Sequence, residues 1–455
     1  MRNAGFIGFA LGVCAGAAML GGCSLGSRGE QSALPSMQSG NALRALDSTG
    51  AGKITHIVYI VQENRSFNNL FYGYPGAYTV TEGKDSTGRT IKLKPSRLGA
   101  FYEIDHSVAA MVAACNGTGK LPGTDCRMNG FDQEWSDGGF KNSQYVYVPH
   151  DQSKPYFDMA HEGALADRMF QSQLDESFVA HQYVIAAQAA WSADLPSGDW
   201  GCENHEAAQV AMITTLRVLS GYQKACFNYQ TLGDELDKAN LSWRFYASRY
   251  GAGSGNGATW SGYQAVKHIY DGPDWKKDVI SPNWKFITDV RKGQLANFTW
   301  ITPVCDDSDH TNCPDDYGPS WVSALVNTVG KSKFWNSTAI FIQWDDWGGL
   351  YDPVAPEYKD RDSLGFRVPL LMLSPYVRHD HVSHVHYETA SVLRFAEDLY
   401  GLGQMAPADT RATSPAGDNF DFTQAPAKFI PIKAPKSPKF FMHQYPDDRL
   451  IPDSE

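Results

Sequence analysis

Beyond residue 27 the chain offers no run of the ~18 consecutive apolar residues that a membrane-crossing helix requires, so no later helical span is expected. Cys-x-x-Cys is absent, which removes the usual thiolate-zinc spacing. Basic residues are in deficit: 39 Lys and Arg face 50 Asp and Glu, a formal charge of −11. That sign argues against a nucleic-acid partner and against strong electrostatic adsorption of the chain to anionic lipid. No internal repeat is visible, so a solenoid is set aside. What remains is 455 residues, 42% hydrophobic and 20% charged. That is enough to bury a large core, in two or three domains or in one large α/β enzyme.

The N-terminus reads as a secretory signal: one Arg, a short apolar stretch full of Gly and Ala, then small residues. Leu20-Gly21-Gly22-Cys23 resembles the lipobox of bacterial lipoproteins, in which the Cys is acylated and becomes the new N-terminus. A plain signal peptide that happens to contain a Cys is the alternative. Residues 1–22 are thus the expected signal peptide. Residues 23–50, rich in Ser, Gly and Ala, are the expected tether from a lipid anchor at Cys23. Cysteines 14 and 23 aside, six remain, in three local pairs. Neighbours in sequence close the shortest loops, which predicts Cys115–Cys126, Cys202–Cys226 and Cys305–Cys313 disulfides. Together these features place the protein in the periplasm or at the cell surface, as a lipoprotein of the outer membrane.

Strand-like apolar runs bounded by turn residues recur at 54–62, 241–247, 297–302, 338–344 and 368–374. Helical candidates lie between them, among them YETASVLRFAEDLYGL at 387–402. Alternating strand and helix implies a mostly parallel sheet with helices on both faces. After about Phe420 the chain turns Pro- and Lys-rich, and 426–455 is read as an extended tail.

Two of these strands end in polar pairs that carry carboxylates. Asp345-Asp346 follows TAIFIQW and precedes Trp347-Gly348-Gly349; Glu63-Asn64 follows IVYIVQ. Adjacent carboxylates at a buried strand end repel unless a cation lies between them, and Gly-Gly permits a tight turn and close backbone approach. A solvated acidic turn is the bland alternative. If both strands are central, their carboxyl ends converge. Three carboxylates and one amide carbonyl then form an all-oxygen set suited to one hard divalent cation. Ser177 precedes an apolar segment where a helix can begin, as an ordinary N-cap or as a group placed where phosphate binds. His310 lies among Asp306, Asp307 and Asp309, which would favour its protonated form.

The motifs HIVYIVQENRSFNNLF, NGF at 129–131, ADRMF at 166–170, SFVAHQY, SDH, WDDWGGLYD, FRVPLLMLSPY and VSHVHYETASVLRFAEDLYGL occur in that order. Over roughly residues 54–425 the chain resembles the bacterial phosphoesterase family of phospholipases C and respiratory-burst-inhibiting acid phosphatases. The resemblance implies an alkaline-phosphatase-like three-layer α/β sandwich, with a phosphoesterase domain spanning 51–425. It implies metal binding by Glu63, Asn64, Asp345 and Asp346, and a metal-activated nucleophile, Ser177, that attacks phosphorus. His106, His310 and His268 correspond to histidines that neighbour the phosphate. The chain departs from the family's pattern at Glu176, Asn68 and Asp352-Pro353-Val354.

These readings converge on an exported, metal-dependent phosphoric-ester hydrolase working through a phosphoserine. The chain stops soon after the catalytic core, which favours an acid-phosphatase-like enzyme over a phospholipase C. A lipoprotein that only binds phosphate-bearing ligands is the reading from another class.

Overall fold

The computed structural model describes residues 48–197, 201–203, 208–248 and 260–445. The expected signal peptide, Cys23 and all but the last three residues of the expected tether lie outside the described residues.

Eight strands form the central sheet: β1 (His56–Gln62), β2 (Ala164–Ala166), β3 (Trp243–Tyr246), β4 (Val279–Ile280), β5 (Phe298–Ile301), β6 (Thr338–Trp344), β7 (Leu370–Leu373) and β8 (His381–Ser383). Their spatial order is β4-β3-β5-β1-β6-β7-β2-β8. All run parallel except β7, which is antiparallel to both its neighbours. Runs such as HIVYIVQ and TAIFIQW are nearly continuous in apolar residues because a central parallel strand is covered on both faces.

Four helices supply much of that cover: α1 (His150–Glu162), α2 (Ser177–Ala186), α3 (Gly318–Gly330) and α4 (Ala390–Tyr400). Successive strand residues point to opposite faces. Phe341 packs edge-on to Phe395 of α4, and Trp300 Nε1 donates to Val184 O of α2 at 3.0 Å. On the other face Trp344 meets Tyr156 of α1, which packs with α3. The expected three-layer arrangement, helix–sheet–helix, is therefore present.

All five expected strands form, four of them trimmed at the ends; β2, β4 and β8 are too short for periodicity to reveal. Helix α4 starts later than the apolar spacing suggests because Tyr387–Glu388 pairs with Met169–Phe170 first. It stops at Gly401, whose φ of +69° suits glycine. The described part of the tail is irregular up to a short helix, Pro438–Phe441, and is fastened to α3: Asn327 Nδ2 donates to Ile432 O, and Phe441 packs on Trp321. All three expected disulfides are present, as an exported protein would have. No helix among the described residues is long and apolar enough to cross a membrane.

Candidate active site

The pairing of β1 with β6 builds the site. Their register sets Gln62 beside Trp344, and Asp345 N continues the ladder to Gln62 O at 2.9 Å. Glu63 and Asp345, then Asn64 and Asp346, therefore leave the sheet side by side at its carboxyl edge. The turn that follows needs its glycines: Gly348 has φ +58°, and a Cβ there would lie 2.5 Å from Asn64 O. Gly348 N donates to Asp346 Oδ1 at 2.7 Å and holds that carboxylate in place.

Helix α2 brings the hydroxyl. It is buried on every side, and its N-cap is Glu176, so Ser177 is its first helical residue rather than its cap. Ser177 Oγ lies 3.1 Å from Glu63 Oε2 and 3.3 Å from Asp346 Oδ2. Asn64 Nδ2 reaches Ser177 Oγ at 3.3 Å, Asp346 Oδ2 at 3.1 Å and His106 Nε2 at 3.0 Å. One turn along the same face of α2 comes His181, whose Nε2 is 2.7 Å from Glu63 Oε1 and 3.7 Å from Asp345 Oδ2. From sequence alone His181 carries no assigned role. Its signal was the i, i+4 spacing from Ser177, which places both on one side of a helix.

Glu63, His181 and Asp345 each offer a ligand atom within 4.8 Å of the others, and all three residues are buried. These residues fit a metal ion. The amide oxygen of Asn64 is buried with no hydrogen-bond partner, a costly arrangement without a ligand. Three buried carboxylates gathered at the two strand ends, two of them on the Ser177 hydroxyl, also call for a cation. The donor set is mixed rather than all-oxygen, since His181 adds an imidazole; a site of this kind also suits borderline metals that take nitrogen.

His106 is buried beside this group. Its Nδ1 lies 2.8 Å from Ile104 O, a carbonyl that can only accept, so Nδ1 carries a proton and Nε2 faces Asn64. Burial pushes the nearby Glu134 carboxyl well above its ordinary value; Asp105 adds to this and His106 opposes it. The His310 ring lies 6.2 Å from that of His106, in the loop closed by Cys305–Cys313. Of the aspartates around His310, Asp309 is engaged elsewhere. That carboxylate accepts from Tyr156 Oη at 2.7 Å and Trp344 Nε1 at 2.9 Å, and burial raises its pKa to about 6.

His268 stands apart. It is partly exposed, and its ring nitrogens meet Asn228 and Asp234 at 2.9 Å, with no hydrogen bond to any residue of the cluster. The structure does not bring it to the site. Two motif positions have structural duties instead. Buried Arg65 donates through Nε to Asp309 O at 2.6 Å, tying β1 to the His310 loop. Asp352, just ahead of the departure from the family's pattern at Pro353, forms a buried two-bond pair with Arg367 and accepts from Asn68 N.

A serine hydroxyl, paired acidic strand ends and buried histidines at one sheet edge are the equipment of an ester hydrolase. Residues 54–403 match the Phosphoesterase family, and the chain belongs to it. Among its relatives, Phospholipase C B of Mycobacterium tuberculosis is 24% identical over 410 residues, covering 77% of this chain and 74% of that protein. Non-hemolytic phospholipase C of Burkholderia pseudomallei is 23% identical over 414 residues, covering 80% and 57%. A solved protein of the alkaline phosphatase superfamily from Vibrio parahaemolyticus overlays at a TM-score of 0.36 and 11% identity, over 86% of this chain and 79% of that one.

Proposed function

We propose that this hydrolase cleaves phosphoric esters of the phospholipid type, with Ser177 as nucleophile and a divalent cation held by Glu63, Asn64, Asp345, Asp346 and His181. One observation carries the reading: the Ser177 hydroxyl sits within hydrogen-bond distance of carboxylates from both strand ends. The cation supplies positive charge that favours the serine alkoxide and the transferring phosphoryl group.

The chain's own residues do the rest. Glu63 and Asp346 accept from the Ser177 hydroxyl and orient it. Asn64 fixes both Ser177 and His106 through one amide. Ser177 Oγ passes its proton to a carboxylate it donates to, Glu63 or Asp346, attacks phosphorus and displaces the leaving oxygen, which takes a proton from a neighbouring histidine in its imidazolium form, His106 or His310. Water then cleaves the phosphoserine. The acid-phosphatase preference drawn from the length of the chain gives way here, because the relatives that match most of it carry phospholipase C names.

The test is a parallel assay on phosphatidylcholine and a chromogenic phosphomonoester, each with and without chelator. Diacylglycerol release that chelator abolishes and added metal restores is expected. Faster turnover of the monoester would return the substrate assignment to a phosphatase, and chelator-resistant turnover would remove the cation.

A further inference from the structure

At the opposite edge of the sheet lies a surface unlike the rest of this acidic chain. Helix α3 and the helix Lys285–Arg291 both end there, just ahead of β6 and β5. Between them opens a cleft of about 610 Å³ whose lining includes Arg291, Lys292, Lys331 and Lys333. No carboxylate among the described residues is paired with any of the four. Arg291 Nη1 reaches Met442 Sδ at 3.2 Å, and Lys333 Nζ lies 5.0 Å from the centre of the Phe334 ring. The nearest acidic residue in sequence, Asp289, accepts from Tyr246 Oη at 3.0 Å.

The tail extends this surface. Residues 424–445 contain four lysines and no Asp or Glu. Ile432 is clamped at both its N–H and its C=O by the Asn327 side chain, and Ala427 O accepts from Trp335 Nε1 at 2.8 Å. Lys428, Lys433 and Lys439 are exposed, with the exposed apolar Ile430 between the first two. A cation at a helix C-terminus is ordinary, since it complements the helix dipole. Two at each of two helix ends, beside a stretch with four lysines and no carboxylate of its own from 424 to 445, exceed what that role needs.

We infer that this basic face docks the protein on an anionic phospholipid surface, with the cleft admitting headgroup phosphate. Charge complementarity selects the partner. The four cations supply a local positive field, the cleft of about 610 Å³ has room for a headgroup phosphate, and the exposed Ile430 suits the interfacial layer. Net charge does not decide the matter, because screening confines attraction to about a Debye length, ~8 Å at physiological salt. Only the charges facing the membrane then count. The catalytic residues lie at the other end of β1 and β6, seven-residue strands that span roughly 23 Å at ~3.3 Å per residue. Docking in this way leaves the catalytic edge facing away from the surface that holds the protein. The inference does not depend on the chemistry assigned to Ser177.

The experiment is co-sedimentation of the full chain with phosphatidylcholine vesicles, with and without phosphatidylglycerol, in chelator and at rising salt. Wild type and Arg291→Gln/Lys292→Gln/Lys331→Gln/Lys333→Gln are compared. Each basic residue near an anionic surface strengthens binding roughly fivefold, so the fourfold variant should bind the anionic vesicles several hundredfold more weakly, approaching its binding to neutral ones. An unchanged melting temperature and turnover of a soluble ester establish that it is folded. Should it not fold, Lys331→Gln/Lys333→Gln gives the same test with an expected loss of about 25-fold. Equal binding to neutral and anionic vesicles, equal binding by variant and wild type, or binding to heparin without binding to vesicles would each overturn the inference.

Discussion

Replacing Ser177 by Ala separates a structural hydroxyl from a chemical one. The side chain is 1% exposed and sits at the first position of a buried helix, so the substitution removes one oxygen and leaves the backbone untouched. Its hydrogen bonds run to two carboxylates and one amide. A hydrogen bond to a charged group contributes about 1.5–3 kcal/mol. Against that, the two carboxylates lose a shared donor but keep Asn64, His181 and Gly348 as partners. Stability should therefore fall by about 1–3 kcal/mol, only a few degrees in melting temperature for a chain of this size. Turnover should fall by at least about a thousandfold, because no phosphoenzyme forms without the oxygen. Ser177→Thr should keep part of the activity, since it retains a hydroxyl. Steady-state turnover, melting temperature and metal content measured on one preparation decide the matter. A folded, metal-loaded Ser177→Ala protein with a near wild-type rate would refute the mechanism and move the nucleophile elsewhere.

Asp345→Ala and His181→Ala should each lower bound metal and activity together, measured by elemental analysis beside turnover; full metal in both would dismantle the ligand set. Burial raises the Asp309 and Asp362 carboxyls to about 6. The folded state thus holds these protons more tightly than the unfolded chain, and the stability they contribute is present below about pH 4 and lost as pH rises through about 6. Melting temperature should accordingly rise on going from pH 7 to pH 5, reflecting a gain of roughly 1 kcal/mol of stability per group, and Asp309→Asn should flatten the profile. Loop closure makes Cys202–Cys226, which spans 24 residues, worth about 3.4 kcal/mol and Cys305–Cys313, which spans 8, about 2.5; Cys→Ala pairs compared by thermal melting test that order. Reducing Cys305–Cys313 should also depress turnover beyond its effect on stability, because His310 lies inside that loop.

Much of this was legible because the strands that matter are long and apolar and end abruptly in polar pairs. Glu63-Asn64 and Asp345-Asp346 announce themselves in that way, and adjacent strands place them together. His181 was hidden for the opposite reason. It lies in SFVAHQYVIA, a helix without a polar face, where a lone histidine looks like filler for the core. His268 misled because its context, a surface histidine bonded to a neighbouring helix start at Asp234, leaves no mark in sequence. Strands of two or three residues such as β2, β4 and β8 exist through their neighbours' hydrogen bonds rather than through any pattern of their own. The reversal of β7 likewise follows from packing, since an antiparallel buried strand and a parallel one have the same apolar composition.

The register between β1 and β6 fixes more than geometry. Half of the proposed ligand set sits at residues 63 and 64 and half at 345 and 346, and the ladder that unites them joins residues 56–62 to 338–344. No fragment of the chain short of residue 346 contains the pocket, and closing so long a loop is among the slower steps a chain takes. Loading of the proposed cation would therefore be a late event, coupled to the completion of folding rather than to synthesis. The ion such a site takes would then depend on what is available where the first strand finally meets the sixth. A chain refolded in different metals should become a different enzyme with the same coordinates.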